Sequence, residues 1–159
     1  MKSLQEFSGL LGKNSLFSKA GIVEEVKLAG DASTRQYSRL LLTGAPVNSI
    51  ILMRLSSAPG PLGGGPNNLS QDDTFIELQA FLKKHNIRVP EIFVDARDDK
   101  IFLVEDIGSS MLSKFAREEF DGEMEELASK LGNDYKRVLF KKAIDVANTL
   151  QQITHDPAA

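Results

Sequence analysis

Cysteine and tryptophan are both missing from the 159 residues, and histidine occurs only twice. Without cysteine there is no disulfide framework, no thiolate metal site and no cysteine nucleophile. No apolar run approaches the ~20 residues that a spanning helix needs. The first residues lack a basic segment leading into a long apolar core, because Glu6, Ser8 and Gly9 interrupt Leu4 to Leu11, so neither export nor a membrane partner is expected. A reducing, cytoplasmic setting fits this composition. Excess positive charge is missing too: 19 Lys and Arg stand against 22 Asp and Glu, a net charge of −3. No basic cluster is interleaved with aromatics, which leaves a nucleic-acid surface without support.

What remains is the composition of an ordinary globular chain, 42% hydrophobic and 26% charged, long enough to bury one real core. Leu4, Phe7, Leu10 and Leu11 are spaced for a short amphipathic helix with Ser3 as its cap, and Asn14 to Ala20 has room for one further helical turn. Ile22 to Leu28 is an apolar run that enters Gly30-Asp31-Ala32-Ser33, and Tyr37 to Leu42 leaves it. Two strands joined by a small-residue loop are expected. Such a loop exposes backbone N–H groups that suit phosphate, with Arg35 close behind, although most loops of this kind are only turns.

Ser49 to Leu55 is almost continuously apolar and reads as a central strand covered on both faces. Ser56 to Ser70 is too rich in Gly and Pro for a regular element. A helix is signalled from Ser70 or Asp72 to near Asn86, with Phe75, Leu78, Phe81 and Leu82 as its buried stripe. His85 falls at its C-terminus, where the helix dipole favours it. Glu91 to Ala96 and Ile101 to Val104 form a hairpin across Arg97-Asp98-Asp99-Lys100. The predicted fold is α+β: a five-stranded antiparallel sheet with one packed helix. Glu105 to Ser110 breaks the strand pattern. Met111 to Glu118 is predicted helical with Leu112, Phe115 and Ala116 inward, 121–130 is acidic and less defined, and a long helix starts at Asn133 or Asp134. That helix carries Tyr135, Leu139, Ala143, Val146, Leu150 and Ile153 on one stripe, whose expected partner lies partly outside these residues. Self-association through it stays open.

Four stretches then stand in order: Leu-Ala-Gly-Asp-Ala-Ser-Thr-Arg-Gln-Tyr-Ser-Arg-Leu, Ile-Leu-Met-Arg, Val-Pro-Glu-Ile and Phe-Leu-Val-Glu-Asp-Ile-Gly. Together they resemble the aminoglycoside phosphotransferase family, whose fold is protein-kinase-like, and within it the bacterial N-acetylmuramate/N-acetylglucosamine kinases. The resemblance covers roughly residues 20 to 155. It implies an N-terminal helical segment over 1–20, a kinase-like N-lobe over 21–104, a hinge over 105–110 and the helical start of a C-lobe over 111–159. It implies ATP as cofactor, with Leu28 above the adenine, Gly30, Asp31, Ala32 and Ser33 over the phosphates, and Leu103 behind the base as gatekeeper. The backbone of Val104, Glu105 and Asp106 would pair with the adenine edge. Glu77 would be the helix acid that orients the phosphate-binding cation. Read without the resemblance, Glu77 is a solvated helix charge, and Glu105 and Asp106 form an acidic turn.

This sequence departs from the family pattern at that cation. The kinase lysine falls at Met53, and Arg54 beside it is the only cation on the strand. Adjacent strand residues point to opposite faces, so the two cannot both enter one cleft without a bulge. Phosphoryl transfer also needs a base for the acceptor hydroxyl and ligands for Mg²⁺, which the family keeps on a C-terminal lobe. His155-Asp156-Pro157 is the nearest match and reads as a helix end. No catalytic or metal-ligating residue is therefore assigned. The expectation is the ATP-binding half of a small-molecule kinase acting on a sugar or amino sugar, with Mg²⁺ bound only in the intact enzyme and little catalysis by this piece without its C-terminal lobe. The alternatives are an inactive kinase-like binding or scaffold module and a structural α+β domain.

Overall fold

The computed structural model describes residues 3–28, 35–55 and 71–154. The expected phosphate loop, with Gly30, Asp31, Ala32 and Ser33, lies outside the described residues, as do 56–70 and His155. The chain divides into two compact units, Met1–Ile107 and Gly108–Ala159. The first is an α+β unit built on a five-stranded antiparallel sheet.

Helix α1 spans Leu4–Leu11. Ser3 accepts from the Glu6 N–H while the Glu6 carboxylate accepts from the Ser3 N–H at 2.7 Å. This reciprocal cap satisfies two donors that a helix start leaves open. A 3-10 turn at Ser15–Phe17 follows, capped by Asn14. The strands are β1 (Gly21–Lys27), β2 (Gln36–Thr43), β3 (Ser49–Arg54), β4 (Ile92–Ala96) and β5 (Ile101–Glu105), ordered β1-β2-β3-β5-β4. The apolar run read as a central strand is β3, in the middle of the sheet. Gly44 opens the β2–β3 connection at φ +64°, where an added Cβ would stand 2.7 Å from the Lys19 carbonyl oxygen. Only glycine meets both the backbone angle and the close approach.

Alternation along the strands sorts the core into two layers. Leu40, Ile50, Leu52, Ile101 and Leu103 face α1 and bury Phe7, Leu11 and Phe17. Met53, Phe102 and Val104 form the other layer with Leu55, and Phe75 and Ile76 of α2 (Gln71–Lys84) pack on it. The stripe of α2 differs from the one its periodicity suggests, since Leu78 is 52% exposed. The helix turns Ile76 and Gln79 inward instead, and Gln79 donates to the Pro90 carbonyl at 3.2 Å. Phe75, Phe81 and Leu82 are half-buried as their spacing predicts. Past Lys84, Asn86 takes φ +59° and the Ile87 N–H returns to the Leu82 carbonyl, a left-handed helix stop.

The second unit holds α3 (Leu112–Arg117), α4 (Gly122–Leu131) and α5 (Tyr135–Thr154). Asp121 caps α4 through the Met124 N–H, which makes the acidic 121–130 stretch a regular helix. Phe115, Phe120 and Tyr135 form an aromatic trio with centroids 5.6 to 6.1 Å apart. Phe115 and Met124 are buried, whereas Ala116, expected inward, is exposed. Along the α5 stripe Tyr135 and Leu139 are half-buried and Ile153 buried, while Ala143, Val146 and Leu150 are exposed. No helix among the described residues is long and apolar enough to cross a membrane.

Candidate functional site

The two arginines of the central strands sit on opposite faces, and this decides which chemistry each face can offer. Arg54 ends β3 on the α1 face. Its Nη1 lies 2.7 Å from Glu25 Oε1 and donates to Ser38 Oγ at 3.1 Å, and its guanidinium is 5.5 Å from the Phe7 ring centre. Both charged side chains are largely buried, and the Arg54 guanidinium holds the Glu25 carboxyl below the usual glutamate range against the opposing effect of burial. Arg54 is thereby committed to a cross-strand ion pair. Met53, one residue earlier, faces α2 and is 1% exposed among Phe102, Phe75 and Val104.

At the strand exit, Asp106 is held by Arg39 of β2 and Ser49 of β3. Arg39 donates from Nε at 2.5 Å and from Nη2 at 3.0 Å, one bond to each carboxylate oxygen, and Ser49 Oγ donates at 2.7 Å. The Asp106 side chain is 5% exposed. A forked, charge-assisted pair of this kind fixes direction as well as distance. Its effect is to pin the segment leaving β5 against the first residue of β3. Neither Arg39 nor Ser49 is singled out by the sequence, where the available signal is only an arginine next to the Leu40-Leu41-Leu42 run of its strand.

Glu105 is occupied differently. Its carboxylate accepts from Arg88 and from the Glu91 N–H, at 3.1 Å for the latter, so its side chain ties β5 to the start of β4. The Arg88 contact, with the Glu91 N–H as a lesser cause, keeps that carboxyl below the usual glutamate range. Leu103 is fully buried in the α1-side layer, on the other face from Met53 and Val104. Leu28 continues the pairing of β1 by donating its N–H to the Tyr37 carbonyl at 3.0 Å, which places it at the Tyr37 register on the α2 face. Glu77 is exposed on α2. The nearest acid on that helix with a cation partner is Asp73, paired with Arg97 of the β4–β5 turn.

The α2 face therefore brings together Leu28, Met53, Val104 and Asp106 of the expected residues. It does not bring Arg54 or Leu103 to them. Arg35, just before β2, joins them by alternation, and its guanidinium stands 5.4 Å from the Phe75 ring centre. Among the described residues no group of three His, Cys, Asp or Glu side chains is placed to hold a metal ion. No family model matches the sequence, and no curated protein or solved structure matches it.

Proposed function

We propose that the sheet unit is the nucleotide-binding half of an ATP-dependent small-molecule phosphotransferase with a kinase-like N-lobe, its acceptor a sugar or amino sugar. The observation that carries this reading is the order of elements. The quoted motifs fall in turn between and on the paired strands β1 and β2, on the central strand, at the start of β4 after an intervening helix, and at the exit of β5, within a sheet ordered β1-β2-β3-β5-β4. ATP would lie along the α2 face, its base against Val104 and the backbone pinned by Asp106, and its phosphates toward the Arg35 end of β2. Backbone pairing at the strand exit needs a fixed main chain rather than a particular side chain, and the Arg39–Asp106–Ser49 clasp supplies that rigidity.

Titration of the chain with Mg-ATP tests this by thermal unfolding and calorimetry. A ligand at 100 times its Kd raises stability by about 2.7 kcal/mol, so a saturable upward shift in Tm is expected. A Tm unmoved by millimolar Mg-ATP would refute the reading. One observation favours a second reading, a kinase-like binding module without catalysis: an apolar, fully buried Met53 stands where the family lysine falls. That module would show no saturable response to Mg-ATP while keeping the same fold.

A further inference from the structure

We propose that Arg35 supplies the cation that β3 does not, gripping the polyphosphate of the bound nucleotide from the start of β2; this rests on the nucleotide reading above. Three features of the face lead there. First, the only cation of β3 points away, because Arg54 is paired with Glu25 and Ser38 on the α1 side. Second, alternation from Arg35 through Tyr37 to Arg39 puts all three on the α2 face, the one that carries Met53. Third, the Arg35 guanidinium is over the Phe75 ring, 5.4 Å from its centre, and Phe75 is itself 5.6 Å from buried Phe102.

The ring contact matters chemically. A guanidinium attracted to a ring face is held at that place in the fold, and its forked N–H donors match the paired oxygens of a phosphate. A lysine at the Met53 position of β3 and an arginine just before β2 thus reach one ligand by different routes. The spacing agrees with an extended nucleotide. Arg35 lies one step beyond the Gln36–Arg54 pair, level with Leu55, whereas Val104 pairs with Ile51. Base and phosphate ends are then four residues apart along β3, about 13 Å at the usual rise of a strand.

Calorimetry on the full chain with ATP, ADP and adenosine, for the wild type, Arg35→Met and Arg35→Lys, tests the assignment. Loss of a charge-assisted contact predicts an ATP and ADP Kd weakened by about tenfold to a hundredfold in Arg35→Met. The adenosine Kd should stay within about twofold, and Arg35→Lys should fall between the wild type and Arg35→Met because it keeps the charge without the fork. If Arg35→Met does not fold by circular dichroism, Arg35→Gln replaces it with the same expectation. Wild-type ATP binding that Arg35→Met or Arg35→Gln leaves intact would overturn the Arg35 assignment alone. An equal loss for adenosine and ATP would overturn it too, making Arg35 a packing partner of Phe75. A wild type that binds no adenine nucleotide would overturn the nucleotide reading, and this assignment with it.

Discussion

The two faces of the sheet are built from the same strands, yet among the described residues they are covered by side chains buried to different degrees. On the α1 side Phe7, Leu11 and Phe17 are all buried to within 1% of complete, and they close over Leu40, Ile50, Leu52 and Leu103. On the α2 side the covering residues, Phe75 and Ile76, are half-buried, and Tyr37, Ile51 and Ile92 around them are half-buried as well. Each face also commits an arginine: Arg54 to Glu25 near the far end of β3, and Arg39 to Asp106 at the strand exit. The α1 side holds the fold together. The α2 side carries the pinned strand exit, beneath covering side chains that are themselves half-buried.

Substitutions on each face can break this contrast. Phe7→Ala should have the largest effect, about 3–5 kcal/mol by urea unfolding, and on the proposed function it should leave the nucleotide Kd of the folded fraction unchanged; a loss under 1 kcal/mol would show that α1 is dispensable to the core. Asp106→Asn comes next at about 3 kcal/mol, since it leaves the Arg39 guanidinium facing a neutral partner. On the proposed function it should also weaken ATP binding, a coupling that Phe7→Ala lacks. Glu25→Gln should cost about 1–2 kcal/mol at neutral pH.

The pH dependence of that variant is specific. The folded-state carboxyl of Glu25 is held below its unfolded value, ordinarily about 4.3. Its stabilisation is therefore complete above that value and is lost as pH falls through the lowered folded one. Unfolding free energy measured from pH 6 down to pH 3 should fall less steeply in Glu25→Gln than in the wild type, and parallel slopes would remove the Arg54 pair from the account. The smallest effect belongs to exposed Glu77. Glu77→Ala should stay within about 0.5 kcal/mol of the wild type in stability, so any larger change in Mg-ATP response would mark a direct role at the α2 face.

Much of the first unit was readable in advance. Strand alternation, the Ser3 cap and the central, two-sided β3 follow from local pattern, and the opposition of Met53 and Arg54 follows from the two-residue period of a strand. Leu78, inward by apolar spacing, is exposed, and the neighbouring Gln79 reaches the Pro90 carbonyl, a contact between segments that local spacing does not contain. The partners of Asp106 were not readable either. Arg39 and Ser49 are 67 and 57 residues away from it, and only the pairing of β2, β3 and β5 brings them together.

Local chemistry alone thus determined where strands and helices form and which neighbours along a strand must part to opposite sides. Tertiary structure decided which of those sides is covered by α1 and which by α2. It also decided that Arg54 is committed to Glu25 and that Arg35 shares a face with Met53. The physical reason is range: backbone geometry sorts residues within a few positions, whereas cover, ion pairing and the choice of face depend on segments that meet only when the sheet is assembled.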